Sequence, residues 1–126
     1  MRCIRCRRPA AIEIRRHNSA FCKDCFPPVF REQVRKAIRR YQMMGPGDRV
    51  LVAVSGGKDS LALWDALLEL GYRAEGLYLG LGIGAYSDRS GAAARAFAAA
   101  RGAELIAVDL RRLRAVEAIR LQPRRR

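Results

Sequence analysis

The feature that most constrains the fold is a regular alternation of strand and helix patterns along the second half of the chain. Short apolar runs at 49–54, 74–81 and 104–110 predict three strands. Helical patterns at 61–70 and 90–101 lie between them, and each is followed by a glycine stop. This order predicts an α/β fold with a parallel sheet and crossover helices. Three strands make about half of a doubly wound domain, so one edge and much of one face should stay uncovered.

The segment SGGKDS at residues 55–60 follows the first predicted strand and opens the first predicted helix. Gly56 and Gly57 let the backbone approach a ligand closely, and a helix start offers N–H donors with a positive dipole end. The side chains that add hydroxyls, an ammonium and a carboxylate are Ser55, Ser60, Lys58 and Asp59. The carboxylate suits a helix cap or a divalent cation that accompanies phosphates. We therefore predict a phosphate-binding loop, with an ordinary glycine turn as the alternative.

This loop differs from the two best-known phosphate motifs. The Walker motif requires a glycine where this chain has Val52, and Ser or Thr where it has Asp59. The G-x-G-x-x-G dinucleotide fingerprint is not matched either.

All four cysteines lie near the N-terminus in two C-x2-C pairs, Cys3 with Cys6 and Cys22 with Cys25. Two tight turns can aim four thiolates at one ion, and the spacing is that of zinc sites. Four ligands leave no open position, so the sequence predicts a structural Zn²⁺; an iron site and free thiols are the alternatives. His17, the only histidine, is expected at the surface.

Composition excludes several classes of protein. The chain has 126 residues, of which 50% are hydrophobic and only 5 are proline, which argues against a disordered protein. No apolar run approaches the roughly 20 residues that span a bilayer, so we expect no membrane association. No signal-peptide pattern precedes the first cysteine, which predicts a cytoplasmic protein whose paired cysteines bind metal.

Charge is distributed unevenly. Residues 1–44 carry 12 basic and 3 acidic side chains, residues 45–110 carry 6 and 8, and residues 111–126 carry 7 and 1. Basic ends around a near-neutral body predict contact with a polyanion such as nucleic acid. A genome rich in arginine codons is the simpler explanation of the overall charge. For the arginines of the predicted helix, contact with a tRNA backbone and a solvated helix face are the two alternatives; these residues are Arg31, Arg35, Arg39 and Arg40.

The same patterns predict four parts of the chain. They are a zinc module at 1–26, a linker at 27–47 that consists of an amphipathic basic helix (29–44) and a loop, a phosphate-binding α/β half-domain at 48–110, and a basic tail at 111–126. The tail suits a truncated or frameshifted reading frame as well as a nucleic-acid tail.

Residues 53–60, AVSGGKDS, resemble the PP-loop of ATP pyrophosphatases, whose fold is of the adenine nucleotide alpha-hydrolase type. With the four-cysteine head, AIRRYQMM and VLVAVSGGKDSLALWDALLELGY, the chain resembles the tRNA two-thiouridine synthetase group of that family. The similarity extends through GIGAYSDRS to about residue 110, which is only the front of the family's sequence.

The resemblance implies an activity and a set of roles. ATP would be contacted by Ala53, Val54, the loop residues 55–60 and the backbone near Leu79. Lys58 and Asp59 would act in catalysis, Asp59 by placing Mg²⁺. The enzyme would adenylate the uridine O2 of a tRNA, release pyrophosphate, and then replace AMP with sulfur, in some members from a ubiquitin-like sulfur carrier.

The chain also departs from the family pattern. The family's catalytic cysteines, and in some members an iron–sulfur cluster, lie in a later part, whereas this chain has no cysteine beyond Cys25. The chain alone is therefore expected not to complete sulfur transfer. The sequence leaves open a homodimer. It also leaves open two rival functions, another PP-loop tRNA modifier (a cytidine thiolase or lysidine synthetase) and a non-catalytic zinc and RNA-binding module.

Overall fold

The computed structural model describes residues 1–82 and 84–110, which divide into two compact units. The first is Met1–Gly45, and the second begins at Pro46. The predicted tail, 111–126, lies outside the described residues. The finer division into four parts stays a prediction.

The first unit is built on a short hairpin and one helix. Strands β1 (Ile12–Ile14) and β2 (Ser19–Phe21) pair antiparallel around a single 3-10 turn, Arg15–His17. Helix α1 follows at Phe26–Arg40. The buried residues are few, and two of the three that cluster at the centre are cysteines: Cys3, Phe21 and Cys22. The cysteines of this unit therefore form much of its core.

Helix α1 is shifted by about one turn from its predicted position at 29–44. It begins at Phe26, with Pro27 and Pro28 in the first turn, where proline loses no hydrogen bond. It ends at Arg40 because Gln42 adopts a left-handed conformation (φ 48°). The amide of Met43 then bonds back to the carbonyl of Ile38 at 3.0 Å, which closes the end of the helix before the glycines.

The second unit is a three-stranded parallel sheet with two crossover helices, so the predicted α/β class is confirmed. In chain order its elements are β3 (Arg49–Ala53), α2 (Lys58–Glu69), β4 (Arg73–Gly80), α3 (Gly84–Arg101) and β5 (Leu105–Asp109). The strand order in the sheet is β3-β4-β5.

Both helices begin earlier than their patterns predict. Helix α2 begins at Lys58 rather than at residue 61, and α3 at Gly84 rather than at residue 90. The apolar stripe that reveals a helix starts only where the helix meets the sheet. Polar and glycine-rich first turns add no periodic signal, so the sequence places these starts too late.

Helices α2 and α3 pack side by side on one face of the sheet. Trp64 of α2 is fully buried, and its ring lies 5.0 Å from that of Phe97 of α3. Its Nε1 donates to the carbonyl of Ala74 at 3.1 Å, so the indole is both packed and hydrogen-bonded. Arg101 joins the two helices outside the core, with its Nε 3.3 Å from Asp65 and its Nη2 2.8 Å from Glu69.

The opposite face of the sheet carries exposed apolar side chains. Leu51, Leu79 and Ile106 are 56%, 44% and 45% exposed. They lie on β3, β4 and β5 with side chains directed away from the two helices, as the alternation along each strand requires. An uncovered face is what three strands with two crossovers lead one to expect.

Gly76 of β4 faces Trp64, and its substitution tests this packing. A Cβ at position 76 would lie 2.6 and 2.8 Å from two carbons of the indole ring. We expect Gly76→Ala to lower the free energy of unfolding by about 1–3 kcal/mol, because an overpacked core must shift. Chemical denaturation followed by the fluorescence of Trp64 measures it. Gly47→Ala is the control, since nothing lies within 4 Å of its added carbon; equal effects would contradict the packing.

Candidate functional site

The four cysteine sulfurs converge in the first unit. They are Cys3, Cys6, Cys22 and Cys25, and all four Sγ atoms lie within 4.8 Å of one another. The Sγ atoms of Cys6 and Cys22, one from each pair, are 3.5 Å apart. Zn–S bonds of about 2.3 Å place the sulfurs of a tetrahedral site about 3.8 Å apart. The cluster therefore has the composition and the size to hold one metal ion.

Backbone bonds shape the two turns that carry these cysteines. In the first, the amide of Cys3 donates to the carbonyl of Arg8 (2.8 Å) and the amide of Arg7 to that of Cys3 (2.9 Å). Arg7 adopts the left-handed conformation (φ 66°) that turns the chain back after Cys6. In the second, the amide of Phe26 donates to the carbonyl of Cys22 (3.1 Å), and α1 begins there.

The surroundings of the sulfurs favour negative charge on the first pair. Burial raises the pKa of Cys3, but the amides of Cys22, Cys6 and Arg5 outweigh it and bring the pKa to about 6. The guanidinium of Arg8 lowers the pKa of Cys6. Hydrogen bonds to Cys22 and Cys6 raise the pKa of Cys25 to about 12.

His17 takes no part in the cluster. It is exposed at the end of the 3-10 turn, as expected from the sequence. Within residues 1–82 and 84–110, the four cysteines are the group of the first unit that could hold a metal ion.

The predicted phosphate loop connects β3 to α2 in the second unit. Val54, buried behind it, donates its amide to the carbonyl of Leu77 at 2.8 Å and so fixes the loop to β4. Gly57 is the N-cap of α2, which places Lys58, Asp59 and Ser60 in the first helical turn. The loop proper is therefore only residues 54–57.

The two serine hydroxyls hold the loop together. The Oγ of Ser60 accepts from the amide of Ser55 at 3.2 Å and donates to the carbonyl of Gly57 at 3.0 Å. The Oγ of Ser55 lies 3.1 Å from that of Ser60 and accepts from the amide of Gly57 at 3.2 Å. These contacts fix the loop without any ligand.

Other donors of the loop are left for a ligand. The first turn of a helix has no internal acceptors for its amides. Among the described residues, no acceptor is found for the amides of Gly56, Lys58, Asp59 and Ser60. The side chains of Lys58 and Asp59 are exposed and make no ion pair with the described residues. The arrangement suits an anion accompanied by a cation.

A cleft of about 400 Å³ lies beside the loop. Its lining residues are Ser55, Gly56, Gly57, Arg89 and Ser90. Arg89 and Ser90 come from α3, and no role was predicted for them from the sequence. The only signal for them was their place in the segment GIGAYSDRS, which follows the end of β4.

A second cavity, of about 190 Å³, lies at the carboxyl ends of β4 and β5, where Gly80 and Asp109 contribute to its lining. Ala53 ends β3 just before the loop. Leu79 is next to Gly80, but its side chain lies on the uncovered face of the sheet. Neither Ala53 nor Leu79 lines the cleft beside the loop.

Fold and site together define a class of protein: an α/β unit with a parallel sheet and the loop SGGKDS after its first strand, preceded by a unit whose four cysteines could hold a metal ion. Residues 2–27 match the family described as 2-thiouridine synthetase TtuA, N-terminal LIM domain. The resemblance to the tRNA two-thiouridine synthetase group is thereby confirmed for the front part of the chain, and the relatives agree with it.

Two bacterial relatives are named tRNA-5-methyluridine(54) 2-sulfurtransferase. The protein of Thermus thermophilus is 52% identical over 88% of this chain and 35% of its own length. That of Thermotoga maritima is 40% identical over 65% of this chain and 27% of its own. The chain therefore spans about a third of the length of these relatives.

A solved structure supports the fold. The U34-tRNA thiolase NcsA from Methanococcus maripaludis, determined with its 4Fe-4S cluster, superposes with a TM-score of 0.69 at 26% identity. The match covers 88% of this chain and 39% of that one.

Among the described residues, none of the helices is long and apolar enough to cross a membrane.

Gly56 is the loop residue whose substitution should do most damage. It has φ 82°, and a Cβ there would lie 2.2 Å from the carbonyl oxygen of Ser90. We expect Gly56→Ala to lower the free energy of unfolding by at least about 1–3 kcal/mol, since both backbone conformation and packing oppose it. Gly57→Ala is the matched control, because its Cβ meets only the Ser55 hydroxyl at 3.3 Å. Denaturation curves of equal midpoint would contradict this geometry.

Proposed function

We propose that this chain is the ATP-binding N-terminal part of a tRNA uridine 2-sulfurtransferase. The observation that carries the proposal is the loop at the start of α2, where four amides have no acceptor among the described residues. Gly56 of this loop lines an open cleft, and Lys58 follows in the first turn of the helix. The names of the relatives supply the chemistry, since they are 2-sulfurtransferases or thiolases of tRNA.

The loop would bind the phosphates of ATP mainly through its backbone. The amides of Gly56, Lys58, Asp59 and Ser60 would donate to phosphate oxygens, and the Lys58 ammonium would add a positive charge. Asp59 would hold Mg²⁺, which neutralises phosphate charge. The adenine would lie toward the carboxyl end of β4, near the backbone of Leu79, with Ala53 and Val54 leading into the loop.

The first step of the reaction fits such a site. The uridine O2 would attack the α-phosphorus of ATP, and the bond to pyrophosphate would break as the O2–phosphorus bond forms. The uridine then carries AMP, a good leaving group, which a sulfur nucleophile displaces at C2. Lys58 and the loop amides would stabilise the charge that develops on the phosphates.

The sulfur step would depend on residues outside this chain. All four cysteines of the sequence belong to the cluster of the first unit, so none is left to carry sulfur. An iron–sulfur cluster, as in the archaeal thiolase, and a contact with a ubiquitin-like sulfur carrier would lie in the remaining part of the enzyme. The chain alone would therefore not thiolate tRNA.

The four-cysteine cluster would hold a structural Zn²⁺. Four thiolates suit zinc or iron, and a closed set of four ligands suits a structural role. The unit buries too few side chains to be stable without such a link, since two of its three buried central residues are themselves cysteines.

The tRNA would contact the basic first unit. This unit contains 12 arginines and lysines but only 3 acidic residues, two of which pair with Arg8 and Arg35. On α1, residues Arg31, Arg35 and Arg39 share one face by their spacing of four. Such a face can follow a phosphate backbone.

A rice relative named cytoplasmic tRNA 2-thiolation protein 1, 39% identical over 72 residues, supports a cytoplasmic location.

The two rival functions are less well supported. The four-cysteine unit and the names of the relatives favour uridine thiolation over a cytidine thiolase or a lysidine synthetase. The open loop amides and the adjoining cleft favour nucleotide binding over a non-catalytic zinc and RNA-binding module.

Substitutions in the loop test the ATP site. In calorimetric titration of the chain with Mg–ATP, we expect Lys58→Ala to weaken binding by about 10–100-fold, because a charged hydrogen bond to phosphate is lost. Asp59→Asn should remove the dependence on Mg²⁺. Lys36→Ala, at an exposed lysine of α1, is the control and should bind as the parent chain does.

Two results would contradict the assignment. If the chain bound no Mg–ATP, or if Lys58→Ala and Lys36→Ala bound it equally well, the loop would not be a nucleotide site.

A chimera tests the substrate. When residues 1–110 replace the corresponding part of the Thermus enzyme, the chimera should give 2-thiouridine-type nucleosides in tRNA, and its Lys58→Ala variant should not.

Salt dependence tests the basic face of α1. Each phosphate neutralised contributes about 0.7–0.9 to the slope of log affinity against log salt. We expect Arg39→Gln to reduce the slope for tRNA by about that amount, measured by fluorescence anisotropy. Arg73→Gln, an exposed arginine at the start of β4, should leave the slope unchanged. Equal slopes for all three proteins would mean that the helix face is only solvated.

A further inference from the structure

The side chain of Arg8 lies between the two cysteine turns. Its Nε donates to the Sγ of Cys6 at 3.4 Å, and its Nη1 donates to Asp24 at 2.9 Å. Cys6 closes the first C-x2-C pair, whereas Asp24 lies inside the second, between Cys22 and Cys25. A single guanidinium therefore links the two halves of the cluster.

The backbone of Arg8 is fixed by the same turn. Its carbonyl accepts from the amide of Cys3 at 2.8 Å, so both the main chain and the side chain of this residue contact the cysteine set. The position of the guanidinium is thus set by the fold of the first turn, and Asp24 holds its far end.

We propose that Arg8 is a positioning residue of the metal centre, which joins the two C-x2-C turns and stabilises the negative sulfur of Cys6. The inference rests on the metal centre proposed above. Arg8 is not a ligand, since a guanidinium has only donors. It acts on the metal through Cys6.

The charge of the centre explains why such a residue is needed. Four thiolates around a divalent ion leave two uncompensated negative charges, and Cys6 is only half-buried. An N–H donor with a positive charge reduces this excess at one sulfur. Outer partners of metal ligands typically change metal affinity by about 10–100-fold.

The link to Asp24 acts by orientation rather than by its own strength. The side chains of Arg8 and Asp24 are 58% and 55% exposed, and exposed ion pairs contribute little by themselves. Held at one end by Asp24, however, the guanidinium keeps its Nε directed at the sulfur. Asp24 therefore reduces the freedom of Arg8 and brings the second turn toward the first.

Proximity in sequence is not sufficient for this role. Arg5 lies between Cys3 and Cys6, yet in the described part of the chain its side chain makes no hydrogen bond or ion pair. Arg5→Gln removes the same charge from the same turn, so it is the matched control for Arg8→Gln.

The experiment uses the full chain loaded with Zn²⁺ and, separately, with Co²⁺. Competition with a chelator should show about tenfold weaker zinc binding for Arg8→Gln, a smaller loss for Arg8→Lys, and none for Arg5→Gln. The thiolate-to-cobalt charge-transfer band should move to lower energy in Arg8→Gln, because a sulfur without its N–H donor gives up electron density more easily. Asp24→Asn should weaken zinc binding with a smaller shift of the band.

The outcomes separate this inference from the one on which it rests. If the parent chain binds neither metal, the metal centre itself is wrong. If the parent binds both but Arg8→Gln matches Arg5→Gln in affinity and in spectrum, the role of Arg8 is overturned and the metal centre stands. Should Arg8→Gln fail to fold, the parent-like behaviour of Asp24→Asn and Arg8→Lys would overturn it equally.

Discussion

The loop that begins α2 depends on a residue without a side chain. The backbone of Ser90 lies so close to Gly56 that a Cβ at position 56 would be only 2.2 Å from the Ser90 carbonyl oxygen. Ser90 also contacts the sheet, since its hydroxyl lies 2.7 Å from that of Tyr78, a buried residue of β4. These two contacts of Ser90 connect the sheet, α3 and the loop. For this reason α3 lines one side of the cleft beside the loop. A larger residue at position 56 would push α3 away from the loop.

The two units are stabilised by different means. The second has an ordinary core, in which Trp64 fills the space between β4 and α3 and satisfies its own N–H. The first has a two-stranded hairpin, one helix and a core in which sulfur atoms replace hydrocarbon. A hairpin of three-residue strands is marginal in water. In the proposed function its order would depend on the metal that the cysteines hold, whereas the order of the sheet would not.

Sequence patterns were sufficient where the determinants are local. The C-x2-C spacing predicted that the four cysteines come together, and the glycines and serines of 55–60 predicted a tight loop between β3 and α2, because both depend on residues close together in the chain. The phosphate-binding role of that loop stays a prediction. Arg89 and Ser90 were assigned no role because they reach the cleft through the parallel pairing of strands far apart in sequence. The starts of α2 and α3 were placed too late for a related reason: a helical turn that projects beyond the sheet carries no apolar period. The uncovered face of the sheet was predicted from the number of strands and crossover helices alone.

The internal bonds of the loop also bear on how it would bind phosphate. Since the hydroxyl of Ser60 already joins the Ser55 amide to the Gly57 carbonyl, it is committed to shaping the loop. Phosphate contacts then fall to backbone amides, which are fixed in direction before any ligand arrives and need little reorganisation. Asp59 is exposed on the same turn, where its carboxylate would repel a bare phosphate. A phosphate site of this design would favour an anion that brings a divalent cation with it over a free phosphate. In the proposed site the carboxylate would therefore be a selective element, because it would make the metal part of what the loop recognises.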